Sequence, residues 1–264
     1  MCRLFGCYIT KPERLTVPEM IALVGARQVD EGPDAYGWAS WSGGNSKIRV
    51  VKREGLIDSA SGIDTVLRSV PRGARWVIGH TRFATHGSPA VMANNHPITH
   101  KRIVGAHNGV VWNYRDVLDL TGRQDNRAEV DSEAIFAAIH RWGVDGLAEI
   151  EGDVACVWAD RTSPATVHIA RGYGRDISVA LTTKGNYLWA SDGWALDALY
   201  PLVRFQWRTK LETDQLVTIR NGSCHFTDRI GFPTRPVTPF TSSAAGKASK
   251  KGELMFPTKG KGRK

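Results

Sequence analysis

Apolar and polar residues alternate along this chain in short runs that predict a protein rich in β-strands. Some runs, such as 154–158, are apolar on both faces, which is typical of strands covered on each side inside a layered fold. The expected strands cover residues 3–9, 37–41, 47–53, 76–80, 103–107, 153–159, 166–170, 178–182, 187–190 and 216–220.

Helical periodicity is confined to four stretches, which we predict as helices over 18–28, 63–69, 114–120 and 132–141. In the last of these, Ile135, Phe136 and Ile139 form one apolar stripe, and Asp131 stands where it would cap the helix start. The helices lie between groups of strands and do not alternate with single strands. This order favours an α+β fold in which sheets pack on each other with helices outside.

The composition is that of an ordinary globular chain, with 42% hydrophobic and 23% charged residues among 264. No run approaches the roughly eighteen apolar residues of a membrane span, and the N-terminus shows no signal peptide, so we expect no membrane partner. Four scattered cysteines do not suggest a disulfide framework. We therefore expect a cytoplasmic protein.

The net charge of +9 is concentrated at the C-terminal end of the chain. Residues 241–264 carry seven basic side chains and one acid, so residues 1–240 keep a net charge of only +3. The end segment is rich in small and polar residues and cannot bury enough surface to fold. We predict one folded domain over 1–240 and a flexible basic tail over 241–264. The tail is either simply solvated or in weak contact with nucleic acid or an acidic partner.

Cys2 becomes the first residue if Met1 is removed, which its small side chain favours. It would then carry a thiol beside a free α-amino group, whose ordinary pKa of about 7.7–8.0 suits a base at neutral pH. Nucleophile and base would share one residue, as they do in known covalent catalysts. On position alone, however, a cysteine without any catalytic role is the simpler interpretation.

Three later positions each allow a functional and a structural interpretation. Arg82 ends an apolar strand, and its forked guanidinium could bind a carboxylate or make a surface ion pair. The dipeptide 108–109 is Asn-Gly, which could supply two donors to an oxyanion or form a turn. Asp131 could pair with a substrate ammonium or cap a helix.

Taken together, five segments in the same order resemble the class II glutamine amidotransferases, which are glutaminase domains of the N-terminal-nucleophile type. The resemblance extends from Cys2 to about residue 220, and the His-Thr-Arg loop is its most specific part. The segments are Cys-Arg-Leu-Phe-Gly at 2–6, Gly-His-Thr-Arg-Phe-Ala-Thr-His-Gly at 79–87, Asn-His-Pro at 95–97, His-Asn-Gly at 107–109 and Asp-Ser-Glu at 131–133.

The resemblance implies a four-layer αββα sandwich and hydrolysis of the glutamine side-chain amide through a γ-glutamyl thioester on Cys2. It also implies a role for each of six other residues around the substrate. Arg82 would bind the α-carboxylate, Asp131 the α-ammonium, Thr85 and His86 would shape the loop over glutamine, and Asn108 with Gly109 would form the oxyanion hole.

The sequence departs from the synthase-type members of this family at two places, with Glu31 where they have arginine and Phe83 where they commonly have tryptophan. The segment 32–38 is closer to small stand-alone members. Only a proline-containing segment and the basic tail follow about residue 230. We therefore expect a separate synthase subunit to accept the ammonia.

Two other functions remain open from the sequence. The same residues would serve a hydrolase of γ-glutamyl amides on a larger molecule, and a non-catalytic nucleic-acid-associated protein could share the fold. Five histidines between residues 80 and 107 raise the question of a metal site, but their spacing fits no standard ligand pattern. We therefore expect neither a metal nor a cofactor.

Overall fold

The computed structural model describes residues 2–29, 33–84, 87–122 and 129–233. The tail expected at 241–264 lies outside the described residues. Seven antiparallel strands form the first sheet, in the order β11-β9-β10-β1-β4-β2-β3. They are β1 (Arg3–Tyr8), β2 (Ala35–Trp41), β3 (Arg49–Glu54), β4 (Trp76–Arg82), β9 (Ser178–Thr182), β10 (Tyr187–Ala190) and β11 (Phe205–Lys210).

Six antiparallel strands form the second sheet, in the order β13-β12-β8-β7-β6-β5. The long hairpins of β6, β7 and β8 make its centre; most residues of β6 and β7 are buried, and those of β8 are mostly buried or half-buried. The strands are β5 (Ile98–His100), β6 (Ile103–Val111), β7 (Gly152–Asp160), β8 (Ser163–Arg171), β12 (Gln215–Arg220) and β13 (Ser223–Asp228).

Helices cover the outer face of each sheet. Helices α1 (Val17–Ala26) and α2 (Ala60–Ser69) pack on the seven-stranded sheet, and α3 (Tyr114–Thr121) and α4 (Ser132–Trp142) pack on the six-stranded one. Short 3-10 segments occupy Met92–Asn94, Gly143–Glu149 and Gly193–Leu199. The order helix, sheet, sheet, helix confirms the expected α+β sandwich of four layers. Within the described ranges, no helix has the length and apolar character needed to cross a bilayer.

The layer between the two sheets determines where the polar site lies. Its apolar core includes Leu4 and Tyr8 from β1, Trp76 and Ile78 from β4, and Val104 and Ala106 from β6. Since side chains alternate along a strand, the same inner face continues to Cys2, Arg82 and Asn108. The inter-sheet layer therefore changes from apolar to polar at the end where β1 begins and β4 finishes.

The structure contains each of the ten expected strands and four expected helices, with ends shifted by a few residues. Sequence patterns missed β5, β11 and β13. β5 has only three residues, and most side chains of the sheet-edge strands β11 and β13 are exposed. An edge strand with little buried surface leaves little hydrophobic pattern in the sequence.

Candidate active site

Strands β1 and β4 bring Cys2 beside Arg82. Their register pairs Arg3 with Thr81, so the next position on each strand lies at the same end of the sheet. The Cys2 thiol donates to the Phe83 carbonyl at 3.5 Å. Burial raises the pKa of the Cys2 thiol above its ordinary value, while the positive charge of Arg82 acts to lower it. A thiol in this setting needs a base to become a nucleophile at neutral pH.

The guanidinium of Arg82 is held rigidly. The residue is only 3% exposed, so the alternative of a surface ion pair does not apply. Its Nη1 donates to Oδ1 of Asn95 at 2.6 Å, and its Nη2 donates to the Gly87 carbonyl at 2.9 Å. These two hydrogen bonds fix the plane of the guanidinium group. A guanidinium held in one orientation binds a carboxylate well, because its N–H groups match the two carboxylate oxygens.

Asp34 organises the chain on either side of Arg82. Its backbone N–H donates to the Arg82 carbonyl at 3.0 Å, and its Oδ2 accepts from the Ala84 N–H at 2.7 Å. Its negative charge also stabilises the charged form of Arg82, which burial disfavours. Asp34 therefore ties the segment before β2 to the loop that follows β4. Thr85 and His86 in that loop lie outside the described residues.

Asp131 occupies the position before α4, but the prediction that it caps this helix is wrong. Its backbone is already helical, with φ −60° and ψ −29°, and its side chain makes no cap hydrogen bond. Its Oδ2 accepts from the Val111 N–H at 2.6 Å instead. The carboxylate is therefore directed toward the end of β6 and acts electrostatically on Cys2 and Arg82.

Asn108 and Gly109 lie inside strand β6, which excludes the interpretation as a turn. Gly109 has φ +143°, and a Cβ there would overlap the carbonyl oxygen of Asp153, so only glycine fits. The Asn108 side chain is buried and its Nδ2 donates to the Ser191 hydroxyl at 3.4 Å. Ser191 Oγ in turn accepts from the Leu4 N–H at 2.9 Å. One hydroxyl thus connects Asn108 to the strand that begins beside Cys2.

Histidines fill the space behind this site. His80 and His96 lie with ring centroids 4.1 Å apart, and Nε2 of His80 lies 3.1 Å from the His107 carbonyl. Nδ1 of His107 contacts the Ser132 hydroxyl at 2.9 Å. Burial lowers the pKa of all three, that of His80 to about 3, so they are neutral at pH 7. In the described part of the chain, no three potential ligand side chains form a metal cluster.

The structure thus brings Cys2, Arg82 and Asp131 within electrostatic range of one another, at the end of the layer that also holds Asn108 and Gly109. The site contains residues to which sequence reasoning gave no role. They are Asp34, Lys52, Asn95 and Ser191. Asp34 and Asn95 lie inside segments that carry the family resemblance, and this position was the signal that could have identified them. Lys52 follows Val50 at strand spacing on the inner face, where a lysine is unusual.

A sequence model of the glutamine amidotransferase domain matches residues 67–232 of this chain, a stretch that includes Arg82, Asn108, Gly109 and Asp131. The chain belongs to the glutamine amidotransferase domain family. The matched stretch starts after Cys2 and does not include that residue.

Curated relatives of this amidotransferase domain include two enzymes named glutamine–fructose-6-phosphate aminotransferase (isomerizing). The protein of Symbiobacterium thermophilum is 37% identical over 139 residues, which is 51% of this chain and 21% of that protein. The protein of Treponema pallidum is 28% identical over 190 residues, 67% of this chain and 29% of that protein. The matched region is therefore less than a third of each relative.

Solved structures show the same fold as this amidotransferase domain. Glutamine phosphoribosylpyrophosphate amidotransferase from B. subtilis superposes with a TM-score of 0.65 at 19% identity, over 86% of this chain and 49% of that chain. A glutamine aminotransferase class-II domain protein from Silicibacter pomeroyi gives 0.53 at 15% identity, over 88% of this chain and all of that one. This chain therefore shares its fold with solved proteins named as glutamine amidotransferase and class-II glutamine aminotransferase.

Proposed function

We propose that this protein hydrolyses the side-chain amide of glutamine through a γ-glutamyl thioester on Cys2 and supplies the ammonia to a separate synthase subunit. One observation carries the proposal. A partly buried thiol lies beside a fixed guanidinium and within range of a carboxylate, in a chain of the glutamine amidotransferase family. Free glutamine carries the complementary charges, one carboxylate and one ammonium, on its α-carbon, at the opposite end of the side chain from the reacting amide.

The reaction begins with the transfer of the Cys2 proton to the α-amine of the same residue, once Met1 has been removed. The sulfur attacks the amide carbon of glutamine and forms a C–S bond. The α-ammonium returns the proton to the departing nitrogen, the C–N bond breaks, and ammonia leaves. Water then cleaves the thioester to give glutamate and the free thiol. The raised pKa of Cys2 makes this internal base necessary, and an amine with a pKa near 8 is suitable.

Four further contacts complete the proposed substrate complex. Arg82 takes the α-carboxylate and Asp131 the α-ammonium, while Thr85 and His86 belong to the loop expected to close over the substrate. Nδ2 of Asn108 and the N–H of Gly109 donate to the oxygen that becomes negative during attack. Removing one such donor in other enzymes lowers kcat by about 10²–10³.

The proposed synthase subunit would supply the acceptor chemistry of the two aminotransferases, of whose own length this chain matches only 21% and 29%. By their names, those relatives transfer an amino group from glutamine to fructose 6-phosphate. In our proposal the acceptor chemistry of this protein resides on another polypeptide, which receives ammonia from the site at Cys2.

The first experiment combines intact mass with an activity assay. The mass reports whether Met1 has been removed, and glutamate release from glutamine is compared for wild type, Cys2→Ala and Cys224→Ala. The last variant is a matched control, because Cys224 lies on β13 away from the site. We expect Cys2→Ala to lose at least about 10³-fold in kcat, and Cys224→Ala to keep wild-type activity.

Mass spectrometry of wild type quenched in acid during turnover should show an adduct of glutamyl mass on the peptide that begins at Cys2. Co-purification with the tagged protein then identifies the synthase. Retention of Met1 in active protein, or full activity of Cys2→Ala, would contradict the proposed nucleophile. Ammonia release that is equally fast with and without every co-purified protein would contradict the coupling to a synthase.

A further inference from the structure

Lys52 lies on the inner face of β3, in line with the residues of the candidate site. The register pairs Lys52 with Gly37 on β2, and Gly37 with His80 on β4. Directly paired residues of an antiparallel sheet point to the same face, and Arg82 lies two positions beyond His80 on that face. A Cβ at Gly37 would overlap the His96 carbonyl oxygen, so the chain at His96 lies over Gly37 on the face that Lys52 and the β4 side chains share.

Among the described residues, the partly buried ammonium of Lys52 contacts a backbone carbonyl and no carboxylate. Its Nζ donates to the Met92 carbonyl at 3.1 Å. No carboxylate in the described residues forms an ion pair with it, and its charge and that of Arg82 repel each other. Burial, with the charge of Arg82 adding to it, lowers the pKa of Lys52 to about 8.

Two cations placed close together in a partly desolvated site leave a strong positive potential. Such an arrangement is costly for the free protein and becomes favourable when an anion enters. The segment 92–95 links the two cations, since its first residue accepts from Lys52 and its last residue accepts from Arg82. An anion that reaches the Arg82 guanidinium therefore also lies in the field of Lys52.

We propose that Lys52 is a second cation of the substrate site, which together with Arg82 selects substrates by their α-carboxylate. This inference rests on the proposed function, because it assigns the anion at Arg82 to the amino acid substrate. Lys52 acts on binding through its charge and takes no part in the proton transfers at Cys2. Its removal raises KM and leaves kcat nearly unchanged.

The experiment compares Lys52→Met, which keeps the aliphatic stem, with Lys52→Arg, which keeps the charge. Lys184→Met is the matched control, since its Nζ also donates to a backbone carbonyl, that of Pro12, at 2.7 Å but at the other end of the sheet. Each protein is assayed with L-glutamine and with L-glutamine α-amide, in which a neutral amide replaces the α-carboxylate. Far-UV circular dichroism melting confirms that each variant is folded.

For Lys52→Met we expect KM for L-glutamine to rise about tenfold, with kcat within about twofold of wild type. Lys52→Arg should stay within about threefold of the wild-type KM, and Lys184→Met should match wild type. With the α-amide, wild type and Lys52→Met should have the same KM, because the group that Lys52 attracts is missing.

Two results would overturn the assignment. The first is an unchanged KM for L-glutamine in Lys52→Met. The second is an equal rise in KM for both substrates, which would indicate that Lys52 merely supports the 92–95 segment. Failure of the proposed function itself is distinguishable, since wild type would then release no glutamate from L-glutamine at all.

Discussion

The side chains of Asn108 and Ser191 meet at 3.4 Å across the gap between the two sheets. Because the Ser191 hydroxyl also accepts from the Leu4 N–H, it joins the beginning of β1 to the middle of β6. The Ser191 N–H donates back to the Leu4 carbonyl at 2.8 Å. The position of the chain just after Cys2 is thus determined by the same serine that orients the Asn108 amide.

Replacing Ser191 with alanine should lower kcat for glutamine hydrolysis about tenfold and leave KM within about twofold. The Asn108 amide loses its orienting acceptor and stabilises the developing oxyanion less well. The buried Leu4 N–H also loses a partner, which costs about 1–3 kcal/mol in the free energy of unfolding. Steady-state kinetics and urea titration measure both effects.

The matched control is Ser59→Ala, which removes the hydroxyl that caps α2 by accepting from the Gly62 N–H at 3.0 Å. It should cost about 1 kcal/mol of stability and leave kcat unchanged. An equal loss of kcat in both variants would mean that reduced stability, and not the contact with Asn108, explains the effect.

Replacing Asp131 with asparagine should raise KM for glutamine about 10- to 100-fold. The asparagine oxygen can still accept from the Val111 N–H, so the fold is kept while the negative charge is lost. A hydrogen bond to a charged group contributes about 1.5–3 kcal/mol, which corresponds to this loss of affinity. The measurement is steady-state glutamate release.

Glutaramate, which is glutamine without its α-amino group, provides the control for Asp131. Wild type and Asp131→Asn should bind it equally weakly, because the ammonium that the carboxylate attracts is missing. Asp197→Asn removes an exposed carboxylate paired with Arg208 and should behave as wild type with both substrates. A similar KM increase for glutaramate in Asp131→Asn would argue against the ammonium contact.

Stability should fall as the pH decreases from 7 to 5. His80 and His168 have pKa values lowered by burial to about 3 and about 4, against about 6.5 in the unfolded chain. Between these values the unfolded state binds more protons than the folded state, so acid favours unfolding. Well below pH 6.5, each of these two histidines lowers the free energy of unfolding by about 1.4 kcal/mol for every unit by which the pH falls.

Urea midpoints at pH 7.5, 6 and 5 measure this dependence. His168→Asn should flatten the slope by the contribution of one histidine, although it also loses the stacking on Trp158 and the contact with Thr218. Equal or greater wild-type stability at pH 5 than at pH 7.5 would show that the histidines are protonated without cost in the folded protein.

The sequence was sufficient to predict the central strands, the four helices and the layered architecture, because buried elements have strong hydrophobic periodicity. Arg82 was also identifiable as the end of an apolar strand. The exposed edge strands β11 and β13 were not predictable, since most of their side chains face water and leave no apolar pattern.

Side-chain contacts between distant parts of the chain could not be predicted from the sequence. Ser191 is 83 positions from Asn108, and nothing in its neighbourhood indicates which amide it contacts. Asp131 was misassigned as a cap, because an aspartate before a helix produces the same pattern whether it caps the helix or accepts from another strand. Lys52 resembles a solvated lysine until the strand register places it on the inner face.

The two outermost strands of the seven-stranded sheet, β3 and β11, bear Arg49 and Arg53 on one side and Arg208 and Lys210 on the other. Unpaired strand edges are the usual starting points of aggregation, and lysine is a common protection against it. Two molecules that approached each other along these borders would bring like charges together. The molecule should consequently resist polymerisation through its sheet borders at low ionic strength, and added salt should weaken that resistance.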